Sequence, residues 1–481
     1  MNSPEFQAIY FSFILLIFVL GTFWMIKRKI GERYVIFFLL RTSYLLSFID
    51  NLSRRFPRLW KFLADFSLLL FFSGIGAFHL SKHNKENISK VMSVFICISF
   101  ILYLLSNSHI LIISSVIAVI LLFVFEKFKI PEINFISAFI IFSALIFHFS
   151  ESIVISILEG IFGVPVLVMA PLVKNAIDIS LGTSKVPGVS PIILIPIQTD
   201  QGFCFIIPGL GICIPVLEGI IAILSLMFVH EMAHGILSRV HNIRLKSTGI
   251  VTLGILPIGA FIEPDEDELK KAKTLARSRI LAVGSFSNLV LGLISIFLFY
   301  SMISGSVLVI QNSGVPNLEN GTIIYSIDNR TIQIDPSVSY LFPKKIYEIS
   351  KRDNLSENRS LTLLTDKGVI KIYERELSNL KFRLRAKFKD PLDAMNFNIL
   401  NFFASVLFWI FFFNINIALV NILPLPPFDG GKILMEFLSD ISSDRELQKM
   451  IAIVIILLIG MILLMNTIPL FEDMFRIYSK T

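Results

Sequence analysis

The sequence predicts an all-α, polytopic membrane protein of about ten transmembrane helices, interrupted by one small, soluble, β-rich insert. Three observations carry this. Hydrophobic residues make up 54% of the 481 positions, charged residues only 16%, and Phe alone occurs 46 times; ordinary globular chains carry roughly 25% charged residues to cover their surface. The apolar residues fall in runs close to the length of about 20 that crosses a hydrocarbon core. After the eighth run the texture changes to alternating polar and apolar residues before the last two runs begin. The net charge of +7 comes from Lys and Arg clustered beside the apolar runs. That distribution points to a lipid bilayer and excludes a nucleic-acid partner.

In order, the runs lie near 7–26, 62–80, 91–107, 109–126, 133–149, 152–172, 216–239, 280–303, 397–420 and 449–468. The stretch "RYVIFFLLRTSYLLSF" at 33–48 reads as an interfacial helix or a short further span. Residues 27–61 carry nine Lys or Arg and two acids, and no base precedes the first run. Basic loops stay in the cytoplasm, so the N-terminus is expected outside. Later crossings then bring the end of the 216–239 run to the cytoplasmic side, and the basic loop 240–279 agrees. Segments 185–215 and 247–264 are apolar but studded with Pro and Gly. A straight lipid-facing helix there would leave backbone groups unpaired, so both read as extended, re-entrant or hairpin structure.

From about 305 to 392, strand-like alternation around Asn-Gly and Asp-Asn turns builds the insert, extracytoplasmic by parity. The chain thus divides into an N-terminal bundle (1–180), a first core part (181–304), the insert (305–392) and a second core part (393–481). Three cysteines exclude a disulfide scaffold. Cys204 and Cys213 pair only if their Gly/Pro-rich stretch is extracytoplasmic, which leaves the pairing open.

Chemistry enters at "LMFVHEMAHGILSRV", 226–240. His230 and His234 are four apart and share a helix face, with Glu231 beside them. This is HExxH, in which two imidazoles hold Zn²⁺ and the glutamate is general base to a water. A catalytic zinc needs a third protein ligand. The pattern HExxHxxGxxH fails, because Leu237 and Val240 stand where Gly and His belong. Glu263, Glu266 and Glu268 sit in a charged, solvated loop. Asp429, in "NILPLPPFDGG", follows an apolar run and three prolines that must break a helix at membrane depth. It is the stronger candidate.

With these motifs in place the chain resembles the site-2 protease family of intramembrane zinc metalloproteases. "HEMAHG" is similar to the family's HExxH helix, and "GAFIEPDEDEL" followed by "AVGSFSNLVLG" to its next loop and span. "NLENGTIIYSIDNRTI" resembles the turn and strand of a PDZ-like insert, and "NILPLPPFDGG" the family's Asp-Gly motif. The resemblance covers about 185–440. Ser285-Phe286 replace the usual Pro after Gly284, Phe428 replaces Leu, and Asn320-Gly321-Thr322 lacks the insert's usual Asp. The last departure favours a steric filter over a peptide-reading groove.

The resemblance implies one zinc per chain held by His230, His234 and Asp429. It also implies Glu231 as base, Asn421 on the substrate backbone and Asn288 supporting the site. The implied activity is hydrolysis of peptide bonds within transmembrane protein substrates, after a partner protease has acted first. Two alternatives stay open on the residues alone: a prenyl-protein-processing zinc peptidase with a glutamate ligand, and a transporter or receptor without chemistry.

Overall fold

The computed structural model describes residues 4–478, apart from 85–87, 107, 129, 151, 191–192, 200–201, 211, 313–314, 316–317, 332–333, 342–346, 349–359, 374–375, 377–379 and 389–393. The N-terminal third runs α1 (Pro4–Arg28), β1 (Glu32–Tyr34), β2 (Phe37–Thr42), α2 (Tyr44–Arg55), α3 (Pro57–His83), α4 (Ile88–Ser106), α5 (His109–Phe128), α6 (Pro131–Ser150), α7 (Ile153–Phe162) and α8 (Val164–Ser180). Strands β3 (Ile193–Thr199), β4 (Gly202–Ile207) and β5 (Ile212–Pro215) lead into α9 (Val216–Val240). The hairpin β6 (Leu245–Leu253) and β7 (Leu256–Pro264) follows, then α10 (Glu266–Lys271) and α11 (Thr274–Met302). The insert comprises β8 (Ile303–Asn312), β9 (Ile323–Ile327), β10 (Arg330–Thr331), α12 (Ser337–Leu341), β11 (Tyr347–Glu348), β12 (Ser360–Thr365), β13 (Gly368–Tyr373) and β14 (Lys381–Phe388). The chain closes with α13 (Ala394–Asn421), α14 (Asp429–Ile441) and α15 (Arg445–Tyr478).

The protein is mostly helical, and among the described residues eight helices are long and apolar enough to cross a membrane. They are α3, α4, α5, α6, α9, α11, α13 and α15. The run at 152–172 is not one helix. Gly163 sits at φ +80° between α7 and α8, where a Cβ would come within 2.1 Å of Phe71 O. Only glycine combines that backbone with that approach, and Pro165 then opens α8. In α3 the matching irregularity is Ser73, at φ 42°.

The stretch 33–48 is neither an interfacial helix nor a span. Between Arg33 and Arg41 it holds too few residues to cross, reaching about 10 Å as a helix. Tyr34, Phe37 and Phe38 instead fall in β1 and β2, joined by a turn at Val35-Ile36, and only its end enters α2. β2 pairs antiparallel with β6, Arg41 opposite Gly249. The resulting sheet has the order β1-β2-β6-β7, which leaves β7 at an edge. The expected hairpin at 247–264 is therefore present, widened by two strands from far upstream.

Two compact units emerge. One comprises residues 1–189, 223–291 and 413–481. Its core runs along α3, where Leu68, Phe71, Phe72 and Leu80 pack with Phe95, Phe125, Phe142 and Phe437. Within it Arg279 of α11 forks onto Asp65 of α3, Nε to Oδ1 and Nη2 to Oδ2 both at 2.7 Å. Asn84 Nδ2 donates to the same carboxylate at 2.9 Å. The other unit comprises 190–222 and 292–412. Its larger antiparallel sheet has the order β11-β14-β8-β9-β12-β13, with β10 on β9. Ile310, Ile324, Leu363 and Leu384 fill its core. Phe299, Tyr340 and Phe408 stack beside it, and the Tyr340 hydroxyl donates to Asn401 Oδ1 at 3.1 Å. In the same unit β3-β4-β5 form a small antiparallel sheet, with a Cys204–Cys213 disulfide joining β4 to β5.

Breaking a buried, hydrogen-bonded ion pair on one side leaves a desolvated charge alone. Asp65→Leu is expected to cost about 3–5 kcal/mol, whereas Asp65→Leu combined with Arg279→Leu recovers most of it. Melting curves of the purified chain in detergent check both.

Candidate metal centre

Helix α9 presents His230 and His234 one turn apart, and their Nε2 atoms lie 3.0 Å from each other. The helix ends at a left-handed Asn242 (φ 61°), with Ile243 N returning to Ser238 O at 2.8 Å. That C-terminal cap turns the chain into β6. Asp429 arrives from the opposite end of the sequence. Pro424, Pro426 and Pro427 forbid continuation of α13 past Asn421, and α14 begins at Asp429 itself. Gly430 and Gly431 let the returning backbone close in, since a Cβ on Gly430 would lie 2.2 Å from Ile422 O and one on Gly431 2.8 Å from Pro426 N. The result brings Asp429 Oδ2 to 3.1 Å from His234 Nε2 and 3.4 Å from His230 Nε2.

The neighbours of these three groups fix which atoms face inward. His234 Nδ1 donates to Ile280 O at 2.6 Å, which leaves Nε2 as the ring nitrogen that faces Asp429. Asn288 Nδ2 lies 3.1 Å from His230 Nδ1, and the buried Asn288 Oδ1 has no partner among the described residues. With that oxygen turned to the ring it accepts from Nδ1–H and frees Nε2 of His230 in the same way. Asn421 Nδ2 donates to Asp429 Oδ2 at 2.9 Å, and its Oδ1 accepts from Asp429 N at 3.3 Å. Asn421 Nδ2 also stands 3.3 Å from His230 Nε2. Gly284 of α11 completes the wall: a Cβ there would sit 2.6 Å from both His230 Cε1 and His234 Nε2.

These donors suit zinc. A tetrahedral ion with bonds of about 2.0–2.1 Å sets neighbouring donor atoms about 3.3–3.4 Å apart. The three separations here, 3.0, 3.1 and 3.4 Å, approach one face of that tetrahedron without rearrangement. Two imidazoles and a carboxylate are also the right chemistry for a borderline cation. Glu231 contributes no atom to the triangle. Its Oε2 accepts from Ile262 N of β7 at 3.1 Å, which places the carboxylate at the edge strand.

Five of the six residues singled out in the sequence therefore meet, His230, His234, Asn288, Asn421 and Asp429, while the Glu231 carboxylate stands beside them on Ile262 N. The glutamates considered as alternative ligands are engaged elsewhere. Glu263 accepts from Ser247 and pairs with Arg41, which together hold its carboxyl below the usual range. Glu268 accepts from Arg244 N at 2.6 Å, and the exposed Glu266 pairs with Lys270. Sequence reasoning missed Gly284 and the Ile280 carbonyl. The first had a signal in its spacing, four before Asn288; the second, a backbone atom, had none.

Residues 218–466, more than half of the chain, match the model of peptidase family M50. An uncharacterized protein of Methanocaldococcus jannaschii is 30% identical over 288 residues, covering 56% of this chain and 68% of the relative. A Chlamydia pneumoniae protein named as a putative zinc metalloprotease is 30% identical over 77 residues, 16% of this chain and 12% of the relative. Apolar helices, the HExxH helix and the matched span lead to one assignment: the chain belongs to peptidase family M50, the site-2 protease family of membrane zinc metalloproteases.

Proposed function

We propose that this chain is an intramembrane endopeptidase that hydrolyses peptide bonds within transmembrane segments of other membrane proteins, as a step of regulated intramembrane proteolysis. His230, His234 and Asp429 hold one zinc per chain. The observation that carries the reading is the triangle of three ligand atoms from sites some two hundred positions apart, with Glu231 beside it. Zinc held there polarises a scissile carbonyl and acidifies a water.

The chain's own residues do the rest. Glu231, whose Oε2 accepts from Ile262 N, takes a proton from the attacking water on a carboxylate oxygen. The same atom then delivers that proton to the leaving amine nitrogen. Asn421 and Asn288 act as orienting groups, the first on Asp429 and the second on the His230 ring. A substrate helix hides its carbonyls and must unwind locally. The open edge of β7, next to Glu231, offers an extended substrate the hydrogen bonds that lipid cannot supply. In this reading Asn421, whose Nδ2 already faces the site, shifts onto the substrate backbone as it binds.

The surrounding architecture is read in the same way. About ten crossings result if α1 and the α7–α8 pair also span. The basic loops 27–61 and 240–279 put the metal centre toward the cytoplasm and the insert outside. The insert's single antiparallel sheet, short helix and closed apolar core support a PDZ-like domain acting as a steric filter. Such a filter admits single-span proteins already shortened by a partner protease.

Glu231→Gln is expected to abolish cleavage of a reconstituted single-span substrate while its zinc content stays at the wild-type value. Full activity in that variant would falsify the assignment of the base. Asp429→Ala removes a ligand and is expected to hold one zinc ion fewer than the wild type, whereas Glu263→Ala keeps the wild-type content; elemental analysis after desalting separates the two. Asn288→Ala frees the His230 ring, and zinc affinity measured by competition with a chelating dye is expected to fall about 10–100-fold. An unchanged affinity there would mean that Asn288 supports packing alone.

A further inference from the structure

A second set of metal-type donors lies at the far end of the helix that supplies Asp429. Asp440 is eleven residues on, about 16 Å along α14 by helical rise. His79 and His83 approach it from the last turns of α3, again four apart and on one helix face. His79 Nδ1 stands 2.5 Å from Asp440 Oδ2, and His83 Nε2 stands 2.7 Å from Oδ1. One ligand atom from each of the three lies within 4.8 Å of the others. The composition repeats that of the first centre: two imidazoles at i and i+4, and one aspartate from α14.

The surroundings suit an ion as well. The His79 and Asp440 side chains are 1% and 3% exposed, while His83 is 29% exposed. Two donors are thus fixed and the third stands at an entrance. Phe437 packs edge-on against the His79 ring at 5.1 Å and holds its plane. A cavity of about 280 Å³ opens beside Asp440, with Glu132 on a wall otherwise formed by Ile75, Phe78, Phe135, Phe437 and Ile441. Lys82 competes for the carboxylate, 3.6 Å from Asp440 Oδ1. Its Nζ donates to the Asp440 main-chain O at 2.7 Å, and its half-exposed stem can withdraw into solvent.

The ring-to-carboxylate contacts are hydrogen-bond distances, shorter than the roughly 3.3 Å between two donors on one tetrahedral ion. The atoms therefore already share hydrogens, and an ion enters by drawing the rings back by about 0.6–0.8 Å. We propose that His79, His83 and Asp440 form a second binding site for a zinc-type divalent transition-metal ion, distinct from the centre at His230, His234 and Asp429, that staples α3 to α14.

The test is zinc stoichiometry in the full-length chain, purified in detergent, loaded with zinc and freed of excess by gel filtration. Expected contents are two ions per chain in the wild type and one in Asp440→Asn. One is also expected in His83→Gln, and one in His230→Ala with His234→Ala. The ion retained by Asp440→Asn also reports that this variant is folded, and His83→Gln must lose the same ion if Asp440→Asn misfolds. A wild type with one ion, kept in Asp440→Asn and lost with His230 and His234, overturns this proposal and leaves the proposed function standing. A single ion lost only in Asp440→Asn does the reverse. Two ions that survive both Asp440→Asn and His83→Gln, or none in any form, overturn it as well.

Discussion

A carboxylate among apolar helices cannot stand alone, because removing it from water costs several kcal/mol unless charge and hydrogen bonds are returned to it. Asp429 is in that position, buried at the start of α14. Two imidazoles, the Asn421 amide and the turn that carries it supply what water would have supplied. Much of the local architecture follows from keeping those groups together. Three prolines stop α13, two glycines let the backbone fold back under it, and Gly284 clears the volume into which both rings project.

Helix α11 is the common support. Ile280, Gly284 and Asn288 recur at intervals of four along one face, and all three meet the histidines of α9. One turn earlier, Arg277 forks onto Glu436 of α14, Nε to Oε1 at 2.7 Å and Nη2 to Oε2 at 2.6 Å. The same helix therefore orients the rings and anchors the element that carries the aspartate. Bidentate pairing fixes direction as well as distance, so the register between α11 and α14 is set by geometry rather than by apolar contact alone.

How far this was legible in the sequence depends on the range of each interaction. HExxH is written within one turn of helix, and its meaning survives without knowledge of any partner. Asp429 could be singled out because prolines and a charge within an apolar context are anomalous locally. That it meets His230 and His234 across almost two hundred residues is a tertiary fact. Asn421 and Asn288 were found through a likeness of motif, and their bonds to Asp429 and to the His230 ring were not foreseeable from spacing. Most spans were plain from run length. The break at Gly163 was not, because apolar composition continues unchanged through it. The segment 33–48 misled for a related reason: a short apolar run reads alike as strand or helix, and only the availability of β6 as a partner decides.

The matched family region starts at residue 218, yet the unit that holds the metal centre includes everything before residue 190. The joins are polar and specific. Arg41 of β2 pairs with Glu263 of β7, Asp50 of α2 with Arg239 of α9, and Asp65 of α3 with Arg279 of α11. His79 and His83 of α3 hold Asp440 of α14. Each link lands on an element that carries or braces part of the centre: the edge strand beside Glu231, the HExxH helix, the supporting helix and the helix of Asp429. Apolar packing between helices tolerates sliding, whereas the buried Asp65–Arg279 pair does not, since a shift of one turn leaves both partners unsatisfied. The N-terminal segment is thereby locked to the protease core in one register. Its strands β1 and β2 complete the sheet whose far edge faces Glu231. Residues 41–83 are thus part of what positions His230, Glu231, His234 and Asp429.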